Sequence, residues 1–213
     1  MLAISWTCVR DRDSVLRLNK ELLGFGITHL MFVEETEVEM FGNGCLSRGR
    51  NHNASNGFGG DGTRGKLNMY KIAFNYLKEG ETLLDLDSDV SIKSNALINC
   101  LKSDSNIMKG FYYEETPHII GNYIHIIDNK KFAYFTGCCK SYSYDLFKKI
   151  CESDKIEYYI NLISSNGYTP SEDCFFSYIC QAEFNCKIEN LEEKFKHGKQ
   201  TKNYNSNIFD IIS

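Results

Sequence analysis

The first part of the chain alternates short apolar runs with amphipathic stretches, and this rhythm restricts the fold more than any other feature. LAISWTCV (2–9) and THLMFVEE (28–35) are apolar runs rich in strand-forming residues. Between them, DRDSVLRLNKELLGFG (11–26) carries Val15, Leu16, Leu18, Leu22 and Leu23 at helical spacing. Asp11 and Asp13 are its cap candidates, and Gly24 and Gly26 its stop signals. KLNMYKIAFNYLKEG (66–80) is a second amphipathic helix, closed by Gly80, and TLLDLD (82–87) is a third strand. Strand, helix, strand, helix, strand predicts a mostly parallel, doubly wound α/β sheet.

A polar, glycine-rich stretch over residues 42–65 interrupts the pattern, and after Val90 the rhythm loosens. SIKSNALINCL (91–101) predicts a helix and NIMKGFYYEE (106–115) a strand. Residues 123–139 predict a hairpin turning about Asp128 to Lys131. Helices are expected over 143–153, 158–166 and 172–184, and a last strand over 185–191. With no repeat and no linker, residues 1–200 read as one domain and 201–213 as a polar tail. A chain of 213 residues buries roughly 70% of its unfolded surface and needs no staples.

Composition removes several function classes. A net charge of −4 argues against a general nucleic-acid binder. No apolar run reaches the roughly 18 residues of a membrane span, and MLAISWTCVR lacks the basic leader of a secretion signal. Nine cysteines, an odd number without a CxxC pair, fit reduced thiols and a cytoplasmic location.

LLDLDSDV (83–90) runs an apolar strand into three aspartates, Asp85, Asp87 and Asp89. On one continuous strand they would share a face, about 6 to 7 Å apart, and repel by roughly 2 kcal/mol per neighbouring pair. Such a row requires solvation or a cation. The carboxyl end of a central strand in an open α/β sheet opens into the ligand crevice. There an Asp-x-Asp can hold a hard divalent metal, which in turn holds phosphates.

Leu86-Asp87-Ser88-Asp89-Val90, after that apolar strand, resembles the DxD signature of GT-A-fold glycosyltransferases. The resemblance implies a GT-A-like central sheet flanked by helices, with a smaller mixed acceptor-side portion. Residues 1–101 would form the nucleotide-sugar half and 102–200 the acceptor half. It also implies Mn²⁺, or Mg²⁺, on Asp89 and Asp87, with Asp87 and Ser88 also meeting the donor. Asp85 departs from the family pattern, which has an aromatic or apolar residue there; a supporting role behind the ligands is favoured. TPSEDCFFSYICQAEFNCKI (169–188) resembles the family's Glu-Asp helix, which implies Asp173 as the general base of an inverting transfer and Glu172 as an acceptor contact. A base is needed because a sugar hydroxyl is a poor nucleophile until its proton is accepted. His197-Gly198-Lys199 resembles the C-terminal segment that supplies a third metal ligand, His197, and a cation for the leaving diphosphate, Lys199.

Thr7, Cys8 and Arg10 follow the first strand, where the family cradles base and ribose. Arg48, Arg50, Arg64 and Lys66 are candidate diphosphate contacts in and beside the glycine-rich loop. Lys71 occupies a donor-binding position of related enzymes. GFGGDG (57–62) lacks the strand a dinucleotide fingerprint needs. GDGTRGKL (60–67) has Leu67 where a phosphate-binding loop needs Ser or Thr. An EF-hand from Asp85 fails at Val90 and Ala96, which should be Gly and Glu. GGDGTR (59–64) is similar to the loop of sugar nucleotidyltransferases, but lies far from the first strand. The expected partners are a UDP- or GDP-sugar donor and a hydroxyl acceptor on a glycan or glycoprotein. A sugar nucleotidyltransferase and a non-catalytic carbohydrate- or metal-binding module remain the alternatives.

Overall fold

The computed structural model describes residues 1–42, 44–47, 62–113, 134–167, 172–191, 196–197 and 209–212. For residues 112–113, 134–138, 196–197 and 209–212 the backbone alone is described. Seven strands form the main sheet: β1 (Leu2–Trp6), β2 (Thr28–Val33), β3 (Cys45–Ser47), β4 (Leu83–Leu86), β6 (Ile107–Tyr113), β7 (Tyr134–Tyr142) and β8 (Lys187–Asn190). Their order is β3-β2-β1-β4-β7-β6-β8. Strand β1 pairs in parallel with both β2 and β4, and β7 alone runs against its neighbours. A second sheet places β10 (Phe209–Ile212) between β5 (Val90–Ile92) and β9 (Lys196–His197). The helices are α1 (Arg12–Gly24), α2 (Val38–Phe41), α3 (Gly62–Phe74), α4 (Asn95–Leu101), α5 (Tyr144–Glu152), α6 (Lys155–Ser165) and α7 (Glu172–Ala182). None of the described helices is long and apolar enough to cross a membrane.

Strand alternation divides the core between the two faces of the sheet. Leu2, Ile4, Leu83 and Tyr142 face Tyr70 and Ala73 of α3, Phe147 of α5, Ile160 of α6 and Ile179 of α7. Ala3, Leu84, Leu86 and Cys139 face Leu18 and Leu22 of α1 and Leu97 and Leu101 of α4. Because period two assigns Leu83 and Leu84 to opposite faces, Asp85 is on the face of α3 and α7. The chain leaves β1 toward β2, yet β4 lies on the other side of β1. The crevice at the carboxyl ends of β1 and β4 is therefore a topological switch point, where ligands bind in open α/β sheets.

Several expected boundaries move. Helix α3 begins at Gly62 inside the glycine-rich stretch, and Gly65 is buried along it. It ends at Phe74, where Asn75, Tyr76 and Leu77 bond three residues back and tighten the last turn. Gly80, at φ +78°, instead shapes the turn before β4. Two strands, β3 and β5, fall where a loop and the start of a helix were expected. Phe209–Ile212 is paired strand rather than polar tail. The aspartate row is also corrected: β4 stops at Leu86, and the Asp87 carbonyl accepts the Val90 amide in a turn (3.2 Å). The pleat ends there, so Asp89 leaves the face of Asp85 and comes near Asp11 and Arg17 instead. The turn of the 123–139 hairpin lies outside the described residues.

Candidate functional site

Asp85 anchors the site from below. It is fully buried and accepts hydrogen bonds from Lys66 Nζ (2.7 Å) and Tyr70 Oη (2.6 Å), one helical turn apart on α3. Tyr142 Oη lies 3.1 Å from Tyr70 Oη, and burial raises both phenols far above their usual range, so they stay protonated donors. Burial works against the Lys66 charge, but the carboxylates of Asp85 and then Glu172 outweigh it and raise its pKa.

Lys140 is a second buried lysine, directly opposite Asp85 in the β4–β7 register. It ion-pairs with Asp173 in the first turn of α7. Burial opposes this charge too, yet Asp173, Tyr142 and Asp85 together raise it well above its ordinary value. The sequence reading did not select Lys140. The available signal was a lysine inside the strand-forming run CCKSY, at the same strand parity as Tyr142.

Two carboxyls are left without a lysine of their own. Asp87 is half-buried beyond the strand end. Burial, then repulsion from Asp173, pushes its pKa up to about 7 against the pull of Lys66 and Lys140. Glu172 is also raised, by burial first, and its Oε2 is buried with no hydrogen-bond partner among the described residues. That oxygen would stand 3.9 Å from a Cβ on Gly62, which would also meet Trp6 Cη2 at 3.9 Å. Among the described residues, four carboxyls (Asp85, Asp87, Glu172, Asp173) thus face two lysines. Fully ionised, the cluster carries two excess negative charges, matching one divalent cation.

Of the expected donor contacts, Thr7 is buried at the end of β1, its amide bonded to the Phe32 carbonyl (2.8 Å). Cys8 donates to Asp11 (3.2 Å), and burial raises its pKa. Arg10 is exposed and ion-paired with Asp11 (3.2 Å). Ser88 is buried in the turn after β4. Lys66 is held by Asp85, Arg64 hydrogen-bonds Asn161 on α6, and Lys71 makes an exposed ion pair with Glu157 (3.4 Å). The switch point therefore brings Thr7, Cys8, Asp87, Ser88 and Asp89 to adjacent strand ends, while Lys71 is turned to the surface beside α6. Arg48, Arg50 and Lys199 lie outside the described residues, as does the His197 side chain. The His197 backbone is paired with Ile211, which also pairs with Ile92 of β5.

Asp87 and Asp89 carry hard carboxylate oxygens of the kind Mg²⁺ or Mn²⁺ takes, and they have different charged neighbours: Asp173, Lys66, Lys140 and Asp85 about Asp87, Asp11 and Arg17 about Asp89. Among the described residues no three His, Cys, Asp or Glu side chains form a ready-made cage. The donor set fits an open site of one or two carboxylates completed by substrate phosphates.

No protein-family model matches the chain, and no curated protein does. Among solved structures it is similar to the galactosyltransferase LgtC in complex with donor and acceptor sugar analogs. That match has a TM-score of 0.56 at 12% identity and covers 90% of this chain and 74% of that one. An active-site mutant of LgtC matches with a TM-score of 0.55 at 11% identity, covering 97% and 82%. At such identity the likeness establishes the fold: a GT-A-like α/β architecture with a mostly parallel, mixed seven-stranded sheet and flanking helices.

Proposed function

We propose that this chain is a metal-dependent glycosyltransferase that moves a sugar from a UDP- or GDP-sugar to an acceptor hydroxyl. The observation that carries the proposal is the acidic turn at the switch point, where Asp87 titrates near 7 within an excess of carboxyls over lysines. A structural turn gains nothing from that excess; a cation site does. Asp87, Asp89 and His197 would hold the metal, whose chemistry is to neutralise the leaving diphosphate. Thr7, Cys8 and Arg10, at the end of β1, line the side of the crevice where base and ribose would lie, and Ser88 would contact the donor from the turn.

The chain's own groups account for the remaining work. Asp85, fixed by Lys66 and Tyr70, holds the end of β4 so that the following turn projects into the crevice. Asp173 is oriented by Lys140 and accepts the acceptor proton, giving inversion at the anomeric carbon. Glu172, with an unpartnered oxygen beside Trp6 and Gly62, accepts a hydrogen bond from the acceptor.

Titration of uridine and guanosine diphosphate with and without Mn²⁺ tests the metal: affinity indifferent to Mn²⁺ counts decisively against it. Asp173→Asn should keep donor binding and lose transfer by about 100-fold or more, in the usual range for a general base. An active Asp173→Asn enzyme shifts the mechanism to retention. Pyrophosphate release from a nucleoside triphosphate and a sugar phosphate would identify a nucleotidyltransferase instead.

A further inference from the structure

Strand β5 leads away from the acidic turn and, among the described strands, pairs with β10 alone, along one edge. Its other edge is buried, with Val90, Ser91 and Ile92 each at most 1% exposed, so its peptide groups need partners there. Helix α1 supplies them from two side chains one turn apart. Arg17 Nη2 donates to the Val90 carbonyl at 3.1 Å and reaches the Asp89 carbonyl at 3.5 Å. Glu21 Oε2 accepts from the Ile92 amide at 2.9 Å, and the same carboxylate takes the Ser91 hydroxyl at 2.9 and 3.1 Å. Arg17 and Glu21 are themselves ion-paired, 3.7 Å apart. One donor and one acceptor thus stand where a neighbouring strand would place its own.

Two features exceed what docking a helix requires. Apolar burial of Val15, Leu18 and Leu22 already holds α1 on the sheet. The clamp also holds Arg17 Nε buried with no hydrogen bond among the described residues, 3.7 Å from the Glu21 carboxylate, a costlier placement than docking alone would need. What it does accomplish is to fix the peptide on the C-terminal side of Asp89.

We propose that Arg17 and Glu21 are positioning residues for Asp89: together they hold the 87–89 turn against α1 so that the Asp89 carboxylate is presented to the crevice as a metal ligand. This rests on the metal-dependent reading above. Outer partners of metal ligands typically change metal affinity by about 10- to 100-fold when removed, and the clamp belongs in that range.

The test is Mn²⁺ binding to the full chain, followed by electron paramagnetic resonance with uridine diphosphate present. Arg17→Ala and Glu21→Ala should each weaken Mn²⁺ binding about tenfold or more. Glu21→Gln, which keeps an acceptor for the Ile92 amide, should restore most of the affinity, and Arg17→Lys part of it. These two conservative variants carry the test if either alanine variant fails to fold. Val15→Ala, which loosens the same helix away from β5, should lower the melting temperature and leave Mn²⁺ binding unchanged. Equal weakening by Val15→Ala overturns the clamp, because any loosening of α1 would then suffice. Unchanged binding in the Arg17 and Glu21 variants, while Asp89→Ala loses it, overturns the clamp and leaves the metal site standing. Full binding by Asp89→Ala removes Asp89 from the metal ligands, and the clamp with it, while the titration of nucleotide diphosphate with and without Mn²⁺ still decides the metal reading.

Discussion

Burial acts in opposite senses on an acid and a base in this molecule, and the two meet in one pH window. His29 is buried between β2 and β1, with Nε2 3.0 Å from Ser5 Oγ and Nδ1 unpartnered, and burial lowers its pKa to about 4. From about pH 4 to its unperturbed value near 6.5, the unfolded chain takes up a proton that folded His29 refuses, so stability rises with pH. Asp87 does the reverse. Burial first, then Asp173, raises it from 3.8 to about 7, so across that interval the folded chain keeps a proton the unfolded chain has lost. Stability from this group falls as pH rises. Each slope approaches about 1.4 kcal/mol per pH unit, and between pH 4.5 and 6.5 they oppose one another. In metal-free buffer, His29→Leu should therefore become less stable as pH rises through that window, and Asp87→Asn more stable. Urea unfolding of both variants at pH 4.5 and 6.5 checks the signs, and parallel changes in the two would remove the account of Asp87.

Between elements, the Lys66–Asp85 pair ties α3 to β4 inside the core. Removing one partner of a buried pair leaves an uncompensated charge and costs about 3–5 kcal/mol, whereas replacing both with apolar residues is often neutral. Lys66→Met alone should lower unfolding stability by that amount, and Lys66→Met with Asp85→Leu should recover most of it, measured by urea denaturation. This tie also shows what the sequence could and could not disclose. Asp85 was legible as an acid two positions before the DxD, but strand parity only placed it on one face with Asp87 and Asp89; the end of β4 at Leu86 is what separates it from them. Its partners were not legible: Lys66 and Tyr70 already fell one turn apart in the helix expected over 66–80, but that this face of α3 packs on β4 against Asp85 is a tertiary contact. Lys140 needed the β4–β7 register, a non-local pairing across 55 positions, which local periodicity does not contain. The three-aspartate row misled for a related reason, since alternation describes a strand only while it continues, and the bond that ends it at Asp87 is made by backbone. The alternating first half, by contrast, was readable in the order and type of its main elements, because β1, α1, β2, α3 and β4 each bury a periodic face, although α3 begins and ends earlier than its periodicity suggested.

For the whole molecule, the question is whether residues 1–101 and residues 102–200 are one cooperative unit. Antiparallel pairing of β4 with β7 runs through four registered rows, Leu83–Tyr142 to Leu86–Cys139, and joins the halves within one sheet. The larger core cluster also crosses the division, with Leu2, Ile4 and Tyr70 packed in the same body as Phe147, Ile160 and Ile179. Opening either half alone would expose that shared apolar surface and break the backbone ladder at once. The chain exceeds the roughly 150 residues below which two-state unfolding is usual, but its sheet has no seam at which to divide. Its single tryptophan, Trp6, stands at the end of β1 in the first half and reports on that half alone, whereas the helical signal comes from both halves, with α5, α6 and α7 in the second. Urea unfolding followed by Trp6 fluorescence and by far-ultraviolet circular dichroism should therefore give coincident midpoints. An earlier fluorescence midpoint would mean that the β4–β7 ladder is a separable joint. The switch point would then open without unfolding the second half, and the buried Lys140–Asp173 and Lys66–Asp85 pairs would belong to two independent units.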